Sequence, residues 1–181
     1  MPTNKHSDIA GIFAVAVLLV LSATSALGAE DPTTISLADT EGKTIRLPDL
    51  MTGKPSLLVF WATWCGPCRA EIPRITEAHR RFSDDGLAVL AINPGIRDSL
   101  TNVRRYGERF QLKYPVYFDS NQATRSAFNL IGTPTIILFD ADGKEIQRGE
   151  TIDLKAIERM MSLRSGKAGN EEKLETGPLN R

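Results

Sequence analysis

The stretch Phe60-Trp61-Ala62-Thr63-Trp64-Cys65-Gly66-Pro67-Cys68 holds both cysteines of the 181-residue chain. It completes an apolar run that begins at Leu57, and a segment with helical periodicity follows it. A strand that delivers two cysteines to the start of a helix builds a redox centre. Free N–H groups and partial positive charge at a helix N-terminus stabilise a thiolate. The thiolate is the attacking species in thiol–disulfide exchange. Cys68 lies one turn beyond Cys65 on the same face, so it can attack a mixed disulfide formed at Cys65. Cys65 is the expected nucleophile and Cys68 the resolving thiol. The Cys65–Cys68 disulfide is the oxidised state, and no other cofactor or metal is implied.

Two other uses of the pair are weaker. A purely structural bridge here closes a very short loop, and such loops restrict the unfolded chain least. Zinc normally takes about four ligands. The only histidines are His6, in the leader, and His79, and there is no second cysteine pair. A Cu(I)-binding, chaperone-like role stays open because soft thiolates select that ion. No His or Met lies close in sequence to complete such a site.

The first residues read as a targeting segment. Lys5 precedes the apolar stretch Ile9 to Leu21, and Ser22-Ala23-Thr24-Ser25-Ala26-Leu27-Gly28-Ala29 follows. That is the order of a signal peptide, with Ala26 and Gly28 suited to a cut before Ala29. Residues 1–29 are therefore expected to be a signal peptide. The alternative is an uncleaved membrane anchor, since Ile9 to Leu27 just reaches a spanning length of about 20 residues. Either way Lys5 orients the redox domain outside the cytoplasm, in the periplasm or on the outer face of the cytoplasmic membrane. Exported compartments are oxidising. A net charge of +0 and the lack of a basic stripe argue against nucleic acid as a partner.

The rest of the chain alternates between strand and helix patterns. Ile35–Leu37 and Lys43–Leu47 flank a polar turn and predict a β-hairpin. Ser56–Ala62 has the continuous apolar character of a central strand. A helix is expected from Pro67 to Phe82, bent near Pro73, and then a parallel strand over Leu87–Ile92. Asn93-Pro94-Gly95 breaks the pattern. Asp98 to Gln111 predicts an amphipathic helix with Leu100, Val103, Tyr106 and Phe110 on one face. Val116–Phe118, Asn121–Phe128, Thr135–Asp140 and Glu145–Gln147 read as strand, helix, strand and strand, and Asp142-Gly143 is a hairpin turn signal. Ile152–Leu163 is the last expected helix. Residues 165–181 are polar and expected to form a disordered tail.

The cysteine stretch resembles the active-site strand and turn of the thioredoxin superfamily. Pro73 matches the proline inside its active-site helix. Gly132-Thr133-Pro134-Thr135 is similar to its cis-proline loop, and Ile136–Asp140 to the strand that follows. Ile35–Leu50, the run Cys68-Arg69-Ala70-Glu71-Ile72-Pro73 and the extra segment between Asn93 and Phe118 resemble the TlpA/ResA-like branch of exported thiol–disulfide oxidoreductases. The resemblance covers residues 33–163. It implies an α/β fold: a thioredoxin-like central mixed sheet flanked by helices, with an N-terminal β-hairpin and a central insertion helix.

The same resemblance suggests roles. Thr133 and Pro134 would position the backbone of a protein partner, and Trp64, Gly66 and Pro67 would border the reactive sulfur. Thioredoxin carries a buried Asp where this chain has Val59. TlpA/ResA-like proteins often carry Glu at the position of Glu71, which implies acid/base work on Cys68. Gly66-Pro67 matches thioredoxin, whose potential lies at the reducing end, about −270 mV. Strong oxidants of the superfamily have His where Pro67 stands. The favoured function is reduction of specific protein disulfides, with electrons from a membrane thiol-reducing partner; a general disulfide oxidant is the rival. Cytochrome c maturation is one pathway the family implies, although Thr135 replaces a Glu common in its Gram-negative reductases. Peroxiredoxins carry Thr where this chain has Ala62, which argues against a thiol peroxidase.

Overall fold

The structure, a computed structural model, describes residues 32–175, with side chains as far as residue 164 except that of Thr33. The expected signal peptide lies outside the described residues. Seven strands form one mixed sheet: β1 (Ser36–Asp39), β2 (Thr44–Arg46), β3 (Ser56–Phe60), β4 (Ala88–Asn93), β5 (Val116–Phe118), β6 (Thr135–Phe139) and β7 (Glu145–Gly149). Their order across the sheet is β2-β1-β5-β4-β3-β6-β7. β4 runs parallel to both β3 and β5, and the outer pairings are antiparallel. The expected thioredoxin-like sheet with its N-terminal hairpin is present.

The period of two along each strand explains the layering. On β3, Leu57 and Val59 point into one core, while Leu58 and Phe60 point into the other. β4 divides the same way, Val89 and Ala91 against Leu90 and Ile92. A strand buried on both faces needs this unbroken apolar run. Each fully buried Leu or Phe contributes about 1.5–3 kcal/mol relative to exposure.

Among the described residues five α-helices cover the faces: α1 (Leu47–Met51), α2 (Gly66–Phe82), α3 (Leu100–Phe110), α4 (Ala123–Ala127) and α5 (Leu154–Glu175). α2, α3 and α5 supply Ile75, Ala78, Phe82, Val103, Ile157 and Met161 to the first core. The hairpin, α1 and α4 cover the second through Ile35, Leu37, Leu47 and Phe128. Pro73 lies inside α2. α3 is the expected insertion helix; the Ser99 hydroxyl caps it by accepting from the Asn102 N–H at 3.2 Å. Its Leu100, Val103 and Tyr106 pack on the first core as the periodicity predicts.

The ends of elements differ from the sequence reading. β3 stops at Phe60, two residues before Ala62, because the chain must turn toward the cysteines. α5 continues to Glu175 rather than ending at Leu163. The side chains beyond residue 164 and all of residues 176–181, the end of the expected disordered tail, lie outside the described residues.

Candidate active site

β3 ends at the sheet's centre, and the chain turns through Thr63 and Trp64 into α2. Cys65 is the N-cap of α2, with extended backbone (φ −84°, ψ 104°), and its sulfur accepts from the Cys68 N–H at 3.1 Å. This is how a cap satisfies one of the helix's free N–H groups. The two cysteines form a disulfide with Cα atoms 5.3 Å apart. Gly66 and Pro67 are exposed. Pro67 near the helix start removes an N–H that would have no helical partner.

The loop before β6 forms the facing wall. The Thr133–Pro134 peptide bond is cis, as the resemblance implied. Cys65 Sγ lies 3.4 Å from the Thr133 carbonyl oxygen. In the disulfide that sulfur carries no hydrogen, so this is a contact; a Cys65 thiol in the same place would have a proton to donate. The Thr133 hydroxyl is buried without a hydrogen-bond partner among the described residues, as is the Trp61 indole nitrogen. Trp61 packs into the first core with its ring 5.0 Å from that of Tyr106. Burial raises the Tyr106 phenol above its usual range, against the pull of Arg69 and Arg109.

Both sulfurs are covered: Cys65 is only 5% accessible and Cys68 4%. Exposure alone does not separate the two thiols. Their surroundings differ instead: Cys65 faces the Thr133 carbonyl and the start of α2, while Cys68 sits one turn into the helix.

Glu71 is buried at 4% exposure. Its Oε1 pairs with the Arg74 guanidinium at 2.7 Å, and its Oε2 accepts from the Ile152 N–H at 2.9 Å. The carboxylate therefore links α2 to the loop before α5. Val59 is indeed interior, between Ala91 on β4 and Ile136 on β6, so no carboxylate occupies that place.

Sequence reasoning missed the clasp on the other side. Asp98 Oδ1 accepts from the Thr63 hydroxyl at 2.8 Å. Its Oδ2 accepts from the Thr63 N–H at 2.9 Å and the Asn93 amide at 2.8 Å. The Trp64 indole N–H donates to the Ile96 carbonyl at 3.0 Å, and the Arg97 guanidinium lies 4.4 Å from the Trp64 ring centre. Three consecutive residues thus grip the two that precede Cys65. In sequence, Asn93-Pro94-Gly95 signalled only a break, and nothing local to it points 35 residues back to Thr63.

The geometry allows two-electron exchange between a dithiol and a disulfide. The model of the AhpC/TSA family matches residues 29–147. The chain belongs to this family. Among curated relatives it is 37% identical over 108 residues to the thiol–disulfide oxidoreductase ResA of Geobacillus thermodenitrificans, covering 60% of each chain. It is 35% identical over 121 residues to ResA of Bacillus thuringiensis subsp. konkukian, covering 67% of this chain and 68% of that one. The TlpA/ResA-like kinship read from the motif is correct.

Solved structures agree on the fold. The thioredoxin domain of a thiol–disulfide oxidoreductase from Bacteroides vulgatus superposes with TM-score 0.63 at 22% identity, covering 75% of this chain and 99% of that one. StoA from Bacillus subtilis gives 0.61 at 20%, covering 72% and 98%.

Proposed function

We propose that this protein is an exported thiol–disulfide oxidoreductase that reduces disulfides in specific protein partners. The observation that carries the reading is the Cys65–Cys68 pair at the head of α2, against the carbonyl of Thr133. Relatedness to ResA supports the same chemistry.

In the reduced protein, the Cys65 thiolate attacks one sulfur of a partner disulfide. A Cys65–partner bond forms, and the partner's other sulfur leaves as a thiolate. The Cys68 thiolate then attacks Cys65 Sγ and expels the second partner sulfur. Two electrons pass to the partner, two protons end on its thiols, and the Cys65–Cys68 disulfide remains. Glu71, one turn beyond Cys68, takes the Cys68 proton in the second step. Each of its oxygens keeps a lone pair beyond the contacts to Arg74 and Ile152. Trp64, Gly66 and Pro67 border the attacking sulfur. Thr133 and Pro134 offer the partner an extended backbone to lie beside.

Gly66-Pro67 between the cysteines favours the reducing direction. A membrane thiol reductant regenerates the dithiol, and cytochrome c maturation is a pathway suited to it. The apolar leader favours export with cleavage near Ala29, which the intact mass of the mature protein reads directly. The test of the central claim is trapping. A Cys68→Ser variant cannot resolve the mixed disulfide, so partner adducts should accumulate at Cys65 and vanish in Cys65→Ser. Adducts carried only by Cys68 in a Cys65→Ser variant would reverse the roles.

A further inference from the structure

The rim of the disulfide is cationic on one side. Trp64 is 48% exposed, and its indole N–H is anchored on the Ile96 carbonyl. Arg97 lies against the ring, 4.4 Å from its centre. Its backbone sits in the left-handed region at φ 52°, where non-glycine residues are uncommon and cluster at functional sites. The adjacent acid, Asp98, is fully engaged with Thr63 and Asn93. Among the described residues Arg97 forms no ion pair. A guanidinium stacked on an indole keeps its edge N–H groups free, and those match a carboxylate bidentately. Across the disulfide, Ile131 is fully exposed two residues before Thr133. A partner segment that reaches Cys65 along Thr133 thus meets an exposed aliphatic side chain near the loop and, beside Trp64, a guanidinium with no carboxylate partner among the described residues.

We propose that Arg97 is a specificity-determining residue that selects partner segments carrying a carboxylate beside their reactive cysteine. The inference rests on the thiol–disulfide exchange described above and names the class of partner that exchange serves. Arg97 holds the acidic side chain while Cys65 attacks. A basic residue at the same place meets like charge and is disfavoured.

The test uses three synthetic disulfide peptides, identical except for Glu, Gln or Lys next to the attacked cysteine. The mature protein is reduced and mixed with each, and the second-order rate constant of the single turnover is read from tryptophan fluorescence as Cys65–Cys68 closes. Rates with dithiothreitol correct for the intrinsic reactivity of each peptide. The corrected Glu-to-Lys preference should be about five- to tenfold at low salt and shrink as salt screens it. Arg97→Gln should bring the ratio near one, and Arg97→Glu should invert it. Because each ratio is taken within one variant, a change in Cys65 reactivity cancels. A wild-type ratio near one, or an unchanged ratio in Arg97→Gln, overturns the proposal and leaves the oxidoreductase reading standing. Failure to reduce any of the three peptides sinks both.

Discussion

Glu71 is a charged side chain that the fold has taken out of water and kept supplied with partners. Burying a carboxylate without them would cost several kcal/mol. Arg74 and the Ile152 N–H prevent that, so a structural role already accounts for its burial. A catalytic role has to show itself in pH dependence. If Glu71 carries the Cys68 proton, Glu71→Gln, whose single amide oxygen can keep only one of the two contacts, slows exchange by about 10²–10⁴-fold. The variant's pH–rate curve between about pH 5 and 9 should also differ in shape from the wild-type curve, while circular dichroism stays the same. Superimposable curves would reduce Glu71 to a brace between α2 and α5.

The loop between β4 and α3 behaves as one element of the site, although it carries none of the reacting atoms. It begins on buried Asn93, whose side chain accepts from the Gly95 N–H at 3.0 Å. Gly95 has φ +73°, and a Cβ there would stand 2.3 Å from the backbone oxygen of Asp119. Both facts require glycine. Asp119, fully buried, caps the start of α4 through the N–H and hydroxyl of Thr124, each at 2.7 Å. The clasp on Thr63 and Trp64 is therefore tied, through Gly95, to the far end of β5. Gly95→Ala should destabilise the protein by about 1–3 kcal/mol and weaken the hold on Trp64. Urea unfolding measures the first effect and the Trp64 emission maximum the second. An unchanged midpoint would mean that the Asp119 turn gives way freely.

At the scale of the molecule, two apolar layers on one sheet trap several tyrosines. Burial pushes the phenols of Tyr106, Tyr114 and Tyr117 upward, Tyr114 furthest. A phenol whose folded pKa exceeds its unfolded value of about 10 holds its proton more tightly in the native state. Its contribution is complete below about pH 10 and is lost as pH rises toward the folded value. Stability to urea should therefore be level from about pH 7 to 9 and fall above about pH 10. Tyr114→Phe should flatten that fall, and an equal alkaline loss in the variant would acquit Tyr114. The same burial explains why the fold was readable. The unbroken run Leu57–Phe60 can be satisfied only in a central strand, and the spacing of Leu100, Val103 and Tyr106 only on a helix lying over the sheet.

The sequence by itself determined the sheet, the helices that cover it and the redox pair. Those depend on periodicity and on two cysteines three residues apart, which are local properties. It also marked Glu71, Thr133 and Pro134 by resemblance to a family. Only the tertiary structure decided that Cys65 is nearly as buried as Cys68, because the loop that covers it lies 68 residues away. The same holds for the Glu71 contact with Ile152, 81 residues on, and for the Asp98 grip on Thr63. Such contacts join groups whose separation along the chain carries no period. They exist because buried donors and acceptors must be paired wherever packing brings them together.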